Sequence, residues 1–162
     1  VNQQESLLAA ALEKIDKLTD EEFSDITKEI IKESSVKQVV VYIVVNKDLN
    51  MSIGKTCAQV GHAVQYLCQS YKYIRDSCQS PPSDTDRELI DTYSDWSRGN
   101  QSTKIVLGAN SKEFNKLKNS ILKPFIITDA GKTELKPGTD TVLCFWPMEK
   151  DSDKDLKRLR LL

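Results

Sequence analysis

Apolar, strand-like runs alternate with amphipathic helical stretches along this chain, and that alternation predicts an α/β fold: helices packed on a small mixed sheet. Three observations carry the prediction. Residues 38–45 form a Val-rich and almost continuously apolar run, as expected of a strand buried on both faces. Cys57, Val60, Ala63, Val64 and Leu67 then recur at helical spacing. Three further strand-like runs, 103–107, 125–128 and 141–146, are separated by turn signals or helical patterns, which makes four strands in all. The length of 162 residues is that of one compact domain with short extensions, able to bury roughly two thirds of its unfolded surface.

The amino-terminal residues read as two short helices, with Leu8, Leu12 and Ile15 on one stripe and Phe23, Ile26 and Ile30 on the other. Thr19 and Glu22 between them fit a capping box, in which hydroxyl and carboxylate satisfy amide groups at the second helix's start. We therefore expect an acidic helical hairpin over 1–36 appended to an α/β domain over 37–162, the hairpin contacting a protein partner, packing on the domain or extending it. The 38–45 strand leads through a loop at 48–53 to Gly54 and a helix running past Tyr71. Ser80-Pro81-Pro82-Ser83 breaks the chain before a helix marked by Leu89, Ile90, Tyr93 and Trp96 that ends near Gly99. After the 103–107 strand, Ser111 can cap a helix carrying Phe114, Leu117 and Ile121. Pro124 precedes the third strand, and Ser152 or Asp153 can cap a short last helix after the fourth.

Composition narrows the class. With 39% hydrophobic and 29% charged residues the chain is neither low-complexity nor wholly disordered. The apolar stretch 7–12 is far short of the roughly 20 residues of a spanning helix, and acidic residues flank it, so no membrane association and a cytoplasmic location are expected. Cys57, Cys68, Cys78 and Cys144 form no CxxC pair, and with a single histidine they make no zinc constellation. Reduced thiols are expected, with Cys57 and Cys144 on apolar segments as core filler. The net charge of −1 divides unevenly: residues 1–36 hold four Lys against nine acids, and 37–162 hold 19 Lys and Arg against 15 acids. Residues 101–138 hold seven Lys against three acids, a modest basic region that suits an anionic partner or a solvated surface.

Two groups of residues could carry chemistry. Lys55, Gln59 and His62 fall at about 0°, 40° and 340° around their helix, on one stripe that we expect to oppose the apolar face. Backbone amides at that helix's start and the Lys55 ammonium both favour a phosphate or a developing oxyanion. The second group is Thr128-Asp129-Ala130-Gly131-Lys132-Thr133, just after a strand, followed by Lys136-Pro137-Gly138-Thr139. Asp129 and Thr133 can present a carboxylate and a hydroxyl to one small volume around a turn at Gly131. A solvated helix face and an Asx turn in a hairpin connection use the same residue types.

Taken together, DLNMSIGKTCAQVGHA at 48–63 and TDAGKTELKPGTDTVL at 128–143 resemble, in order and separation, the signature segments of the archaeal and eukaryotic (type 2) peptidyl-tRNA hydrolases. The resemblance covers about residues 38–162. It departs from the family's usual pattern at Ser52, where glycine is common, at Gly61, and at Thr139, where serine is usual. It implies a single three-layer α/β domain with a four-stranded mixed sheet flanked by helices, a homodimer, and hydrolysis of peptidyl-tRNA without metal, nucleotide or other cofactor. It also implies that Lys55, Gln59, His62, Asp129 and Thr133 are the functional positions. Lys104, Lys132 and Lys136 are the candidates for tRNA phosphate contacts. Asp129, directly or through Thr133, or else His62, would handle the attacking water. The rival functions are a non-catalytic adaptor or an RNA-binding module on the same fold.

Overall fold

A computed structural model describes residues 38–77, 81–99 and 101–162, together with Thr19 and Ser24. By its contacts the chain divides into two units, Val1–Lys37 and Gln38–Leu162. The helical hairpin expected over 1–36 and Cys78 lie outside the described residues; all that follows concerns the second unit.

Strand β1 (Val39–Asn46) is central, and every one of its residues is buried. A short 3₁₀ turn at Lys47–Leu49 leads to helix α1 (Ile53–Ser77), and α2 (Asp84–Ser94) follows with a single π turn at Asp95–Gly99. Then come β2 (Lys104–Ala109), α3 (Ser111–Lys118), β3 (Phe125–Asp129), β4 (Thr139–Cys144), β5 (Met148–Glu149), α4 (Lys154–Arg158) and β6 (Arg160–Leu161). The strand order is β3-β4-β1-β2-β6, with β5 pairing β1 beyond the end of β4. β1 and β2 are parallel, whereas β4 is antiparallel to both β1 and β3. β3 and β1 therefore point the same way, and their carboxyl ends lie at one end of the sheet.

Alternation along β1 explains the layering. Val39, Val41, Ile43 and Val45 pack on one face against Ala63 and Leu67 of α1 and Tyr93 of α2, beside Trp96. Val40, Tyr42 and Val44 pack on the other against Phe114 and Leu117 of α3 and Leu156 of α4. The fully buried Val, Ile, Leu and Phe side chains among these each contribute about 1.5–3 kcal/mol of apolar transfer free energy, so both helix layers are held through one strand.

Several sequence expectations change here. The sheet has six strands rather than four: β5 and β6 have two residues each, too few for a periodic signal, and Pro147 separates β5 from β4 because it has no N–H for the ladder. Helix α3 is capped by Asn110 rather than Ser111, through a capping box with Glu113, and it ends before Ile121, which is fully outside the core. For the last helix the choice falls on Asp153, whose side chain accepts from the amides of Asp155 and Leu156. Cys57 is exposed rather than core, whereas Cys144 is buried and its thiol is pushed up to about 12 by desolvation. The buried stripe of α1 runs through Gln59, Ala63 and Leu67, with Val60, Val64 and Tyr71 beside it. Cys57 lies outside that stripe.

Candidate active site

At the carboxyl ends of β1 and β3 the chain leaves the sheet twice, into the loop before α1 and into the loop that joins β3 to β4. Ser52 starts α1: its hydroxyl accepts from the Lys55 amide at 3.2 Å, and its carbonyl accepts from Thr56 at 2.9 Å. Gly131 gives the second loop its sharp turn, with a φ of +74° and Pro137 packed where a Cβ would stand.

These two loops bring five side chains together, those of Lys55, Gln59, Asp129, Thr133 and Thr141. The Lys55 ammonium forms an ion pair with Oδ1 of Asp129 and donates to Oγ1 of Thr133 at 3.1 Å. Gln59 Nε2 donates to the same Asp129 oxygen at 2.9 Å. The other carboxylate oxygen accepts from the Gly131 amide at 2.9 Å, closing an Asx turn, while the Asp129 carbonyl accepts from Gly138 N–H at 2.9 Å. On the far side of Gln59, Thr141 Oγ1 lies 2.9 Å from both Gln59 Oε1 and the carbonyl of Ile127. Its single hydrogen is shared between those two acceptors. The carboxylate fixes the amide's orientation, since a flipped Gln59 would set two oxygens face to face.

Charge and burial make this a firm arrangement. Asp129 is 4% exposed, and Lys55 keeps only 12% of its side-chain surface. The hydrogen bond from Lys55, followed by those from Gly131 and Gln59, outweighs desolvation and holds the Asp129 carboxyl below its usual range. An ammonium has three N–H groups, and Asp129 and Thr133 use two. The third has no acceptor among the described residues.

Gln59 is thus a buried member of the helix's inner face, not part of a solvent stripe opposite the apolar residues. Near 40° it stands next to Ala63 near 80°, with Lys55 at the margin and His62 beyond it on the exposed side. His62 does not join the hydrogen-bonded cluster. It lines an adjoining groove of about 500 Å³ with Gln65, Tyr66 and Gln69 of α1 and Ile126, Ile127 and Thr128 of β3.

Lys132 and Lys136 are exposed on the loop that carries Thr133. Lys104 begins β2 opposite Val41, toward the other end of the sheet, with its ammonium on the Ser102 carbonyl and 5.3 Å from the Trp96 ring centroid. Five residues of strand separate that level from Asn46, roughly 17 Å at about 3.3 Å per residue.

Three contributors escaped the sequence reading of the site. Thr141 is the one polar side chain among the fully buried large residues of the sheet, standing next to the apolar Val142 and Leu143 of β4. Ser52 stood out only as a departure from glycine. Glu134 carried no signal, yet its carboxylate accepts from both the amide (2.9 Å) and the hydroxyl of Ser52, which together pull its carboxyl down. Among the described residues no three His, Cys, Asp or Glu side chains converge as a metal site.

Comparison with known proteins points to one family. The family model for peptidyl-tRNA hydrolase PTH2 matches residues 39–162. A peptidyl-tRNA hydrolase of Methanocaldococcus jannaschii is 35% identical over 127 residues, covering 74% of this chain and 96% of that protein. One from Haloquadratum walsbyi is 33% identical over 122 residues (72% and 90%), and one from Saccharolobus islandicus is 36% identical over 110 residues (65% and 82%). The match spans the whole α/β unit, including both loops that meet at Lys55 and Asp129, and the chain belongs to the peptidyl-tRNA hydrolase PTH2 family.

Proposed function

We propose that this protein hydrolyses the ester bond between a peptide and the terminal ribose of its tRNA, with Lys55 as the group that stabilises the oxyanion. The observation that carries the reading is the Lys55 ammonium, clamped by Asp129 and Thr133 at the start of α1 with one N–H to spare. An ester needs no help with a poor leaving amine, so stabilisation of the tetrahedral oxyanion supplies most of the acceleration required. A preformed ammonium does so without reorganising as charge develops. Family membership supports the substrate class.

Asp129 is assigned to hold and orient Lys55 rather than to accept the water's proton. A carboxylate bound by Lys55, Gln59 and Gly131, with its carboxyl pulled below the usual range, is too weak a base for that task near neutral pH. Thr133 Oγ1 accepts from Lys55 and, in this reading, from the attacking water, and donates its own hydrogen to the ribose oxygen, so the water's proton is balanced by the one that completes the leaving hydroxyl as the ester C–O bond breaks. His62 stands seven residues along α1, a rise of about 10 Å from Lys55, and is assigned to substrate positioning in the groove. Lys132 and Lys136, beside Thr133, meet phosphates near the tRNA's 3′ end, and Lys104 meets the tRNA body farther away. No cofactor enters this reading. A homodimer and the cytoplasmic setting of translation, where stranded peptidyl-tRNA arises, belong to it, and sedimentation of the purified chain tests the first.

No helix among the described residues is long and apolar enough to cross a membrane. The experiment is release of free tRNA from labelled N-acetyl-aminoacyl-tRNA. Wild type should turn over and Lys55→Ala should lose about 10²–10³-fold in kcat. Binding without release would leave an RNA-binding module, and neither would leave an adaptor. A His62→Ala variant should raise KM and keep the shape of the pH profile; loss of a limb of that profile would make His62 the proton acceptor.

A further inference from the structure

We propose that the groove between α1 and the free edge of β3 binds the peptide part of the substrate as an added strand, parallel to β3, leading away from the ester into an aromatic cavity. This rests on the hydrolase reading above and names where one half of that substrate lies. β3 is the outermost strand, and among the described residues β4 is its only strand partner. Its outer N–H and C=O groups therefore have no strand partner among the described residues. Its sequence, Phe-Ile-Ile-Thr-Asp, contains none of the lysines or prolines that ordinarily blunt an open edge.

The groove lies along that edge. Ile127 lines it from the face packed on α1, while Ile126 and Thr128 line it from the other. Thr128 shows its side by donating to Asp140 at 2.9 Å, which in turn pairs with Lys118 of α3. Lining residues from both faces of one strand place the space beside the strand rather than above it. Ile126 is 40% exposed and Tyr66 56%.

The direction follows from the active site. Lys55 and Asp129 hold the ester carbonyl at the carboxyl end of β3, so the peptide's last residue sits beside Asp129 and its earlier residues run back toward Phe125. That is the same direction as β3. Five strand residues span about 16 Å, enough for four or five residues of peptide. Past Phe125 the groove meets a second cavity of about 550 Å³, sharing Tyr66 and Gln69 and walled by Tyr73, Leu122, Phe125 and Trp146.

Charge argues for peptide over nucleotide. The first groove has His62 as its one titratable lining group besides Tyr66, and the second has a single cation, Lys123. An RNA strand carries one phosphate per nucleotide and needs more cations than that. Lys132 and Lys136 lie on the loop beyond Asp129, across the ester from the groove. Main-chain pairing on a strand edge reads any sequence, which suits a substrate whose peptide varies.

The test uses one tRNA carrying N-acetylated peptides of one to six residues, with a parallel set N-methylated at single backbone positions. Hydrolysis should gain about three- to tenfold in kcat/KM per residue over the first few residues and then level off near five. N-methylation at alternate positions should remove the corresponding gain. Tyr73→Ala, which changes a side chain 73% exposed, should abolish only the last increments. Length-independent rates, or methylation without effect at every position, overturn the proposal. So does a dimer that Ile126→Lys converts to an active monomer, for then a second copy covers the edge. If wild type releases no tRNA at all, the hydrolase reading falls instead. The groove is then judged by fluorescence anisotropy of a non-hydrolysable 3′-amide analogue, with the methylated analogue expected to bind at least threefold more weakly and equal binding refuting it.

Discussion

Replacing Thr141 by valine keeps the shape of a fully buried side chain and removes only its hydroxyl. In the native arrangement that hydroxyl serves Gln59 Oε1 and the Ile127 carbonyl, both at 2.9 Å. Both acceptors lie in buried residues, Ile127 at 5% and Gln59 at 4% exposed. Leaving a buried acceptor unsatisfied costs about 1–3 kcal/mol. For a unit of this size each kcal/mol lowers Tm by about 3–4 °C, so a fall of roughly 3–12 °C is expected in thermal unfolding. The activity should respond less. Asp129 retains Lys55 and the Gly131 amide when Gln59 loosens, so kcat should drop by about tenfold at most, against about 10²–10³ for Asp129→Asn, which releases Lys55 itself. The two measurements separate a prop from the group it supports. A Thr141→Val protein with unchanged Tm and kcat would show that the buried relay does nothing. One as inactive as Asp129→Asn, but normally stable, would place Thr141 in the chemistry and refute the assignment.

Other outcomes follow from the same geometry. Glu134→Ala removes the acceptor for the Ser52 amide and hydroxyl, so the loop carrying Thr133 should loosen. Its effect on kcat and that of Ser52→Ala should be non-additive in a double-mutant cycle, and simple additivity would mean no working link. Asp48, Asp129, Glu134, Asp140 and Asp155 all have carboxyls pulled below their usual range, foremost by hydrogen bonds from Ser111, Lys55, Ser52, Lys118 and Lys116 respectively. Such groups stabilise the fold fully above their unfolded values of about 4, and the contribution is lost as pH falls through the lower folded values. Tm should therefore hold from neutral pH to about 5 and decline below about 4; a Tm that rises on acidification would contradict the sign. For tRNA affinity, Lys132→Ala and Lys136→Ala should each reduce the slope of log K against log salt by about one. Lys104→Ala should change it less, and equal slopes in all three variants would remove the loop from the footprint.

Much of the fold was legible because long elements repeat a pattern. The eight buried residues of β1 read as an apolar run, and α1 as a helical period, since burial on both faces or along one stripe selects residue types over many positions. β5 and β6 have two residues each and owe their existence to lying beside β1 and β2, a matter of position rather than composition. The Asn110 cap of α3 was misplaced by one residue because Ser111 has equal local chemistry; the box with Glu113 decides it.

At the candidate active site the sequence by itself supplied the names of most of the residues that meet, together with His62, which stands apart in the groove. Lys55, Gln59, Asp129 and Thr133 lie in two segments whose wording, taken together, identifies the family. What only the tertiary structure decided is which of them touch, and so what each can do. Gln59 carries no mark that it faces inward, because a glutamine is at home in solvent; burial beside Ala63 and the Thr141 hydroxyl turned it into a buried strut. Asp129 is a plausible base in any list of residues, and only the packing of α1 against β3 puts on it the ammonium that, foremost, holds its carboxyl below the usual range. Residue types are local properties, readable one at a time. Proton affinity and hydrogen-bond partnership depend on neighbours some 70 or 80 positions away, which chain folding alone brings within 3 Å.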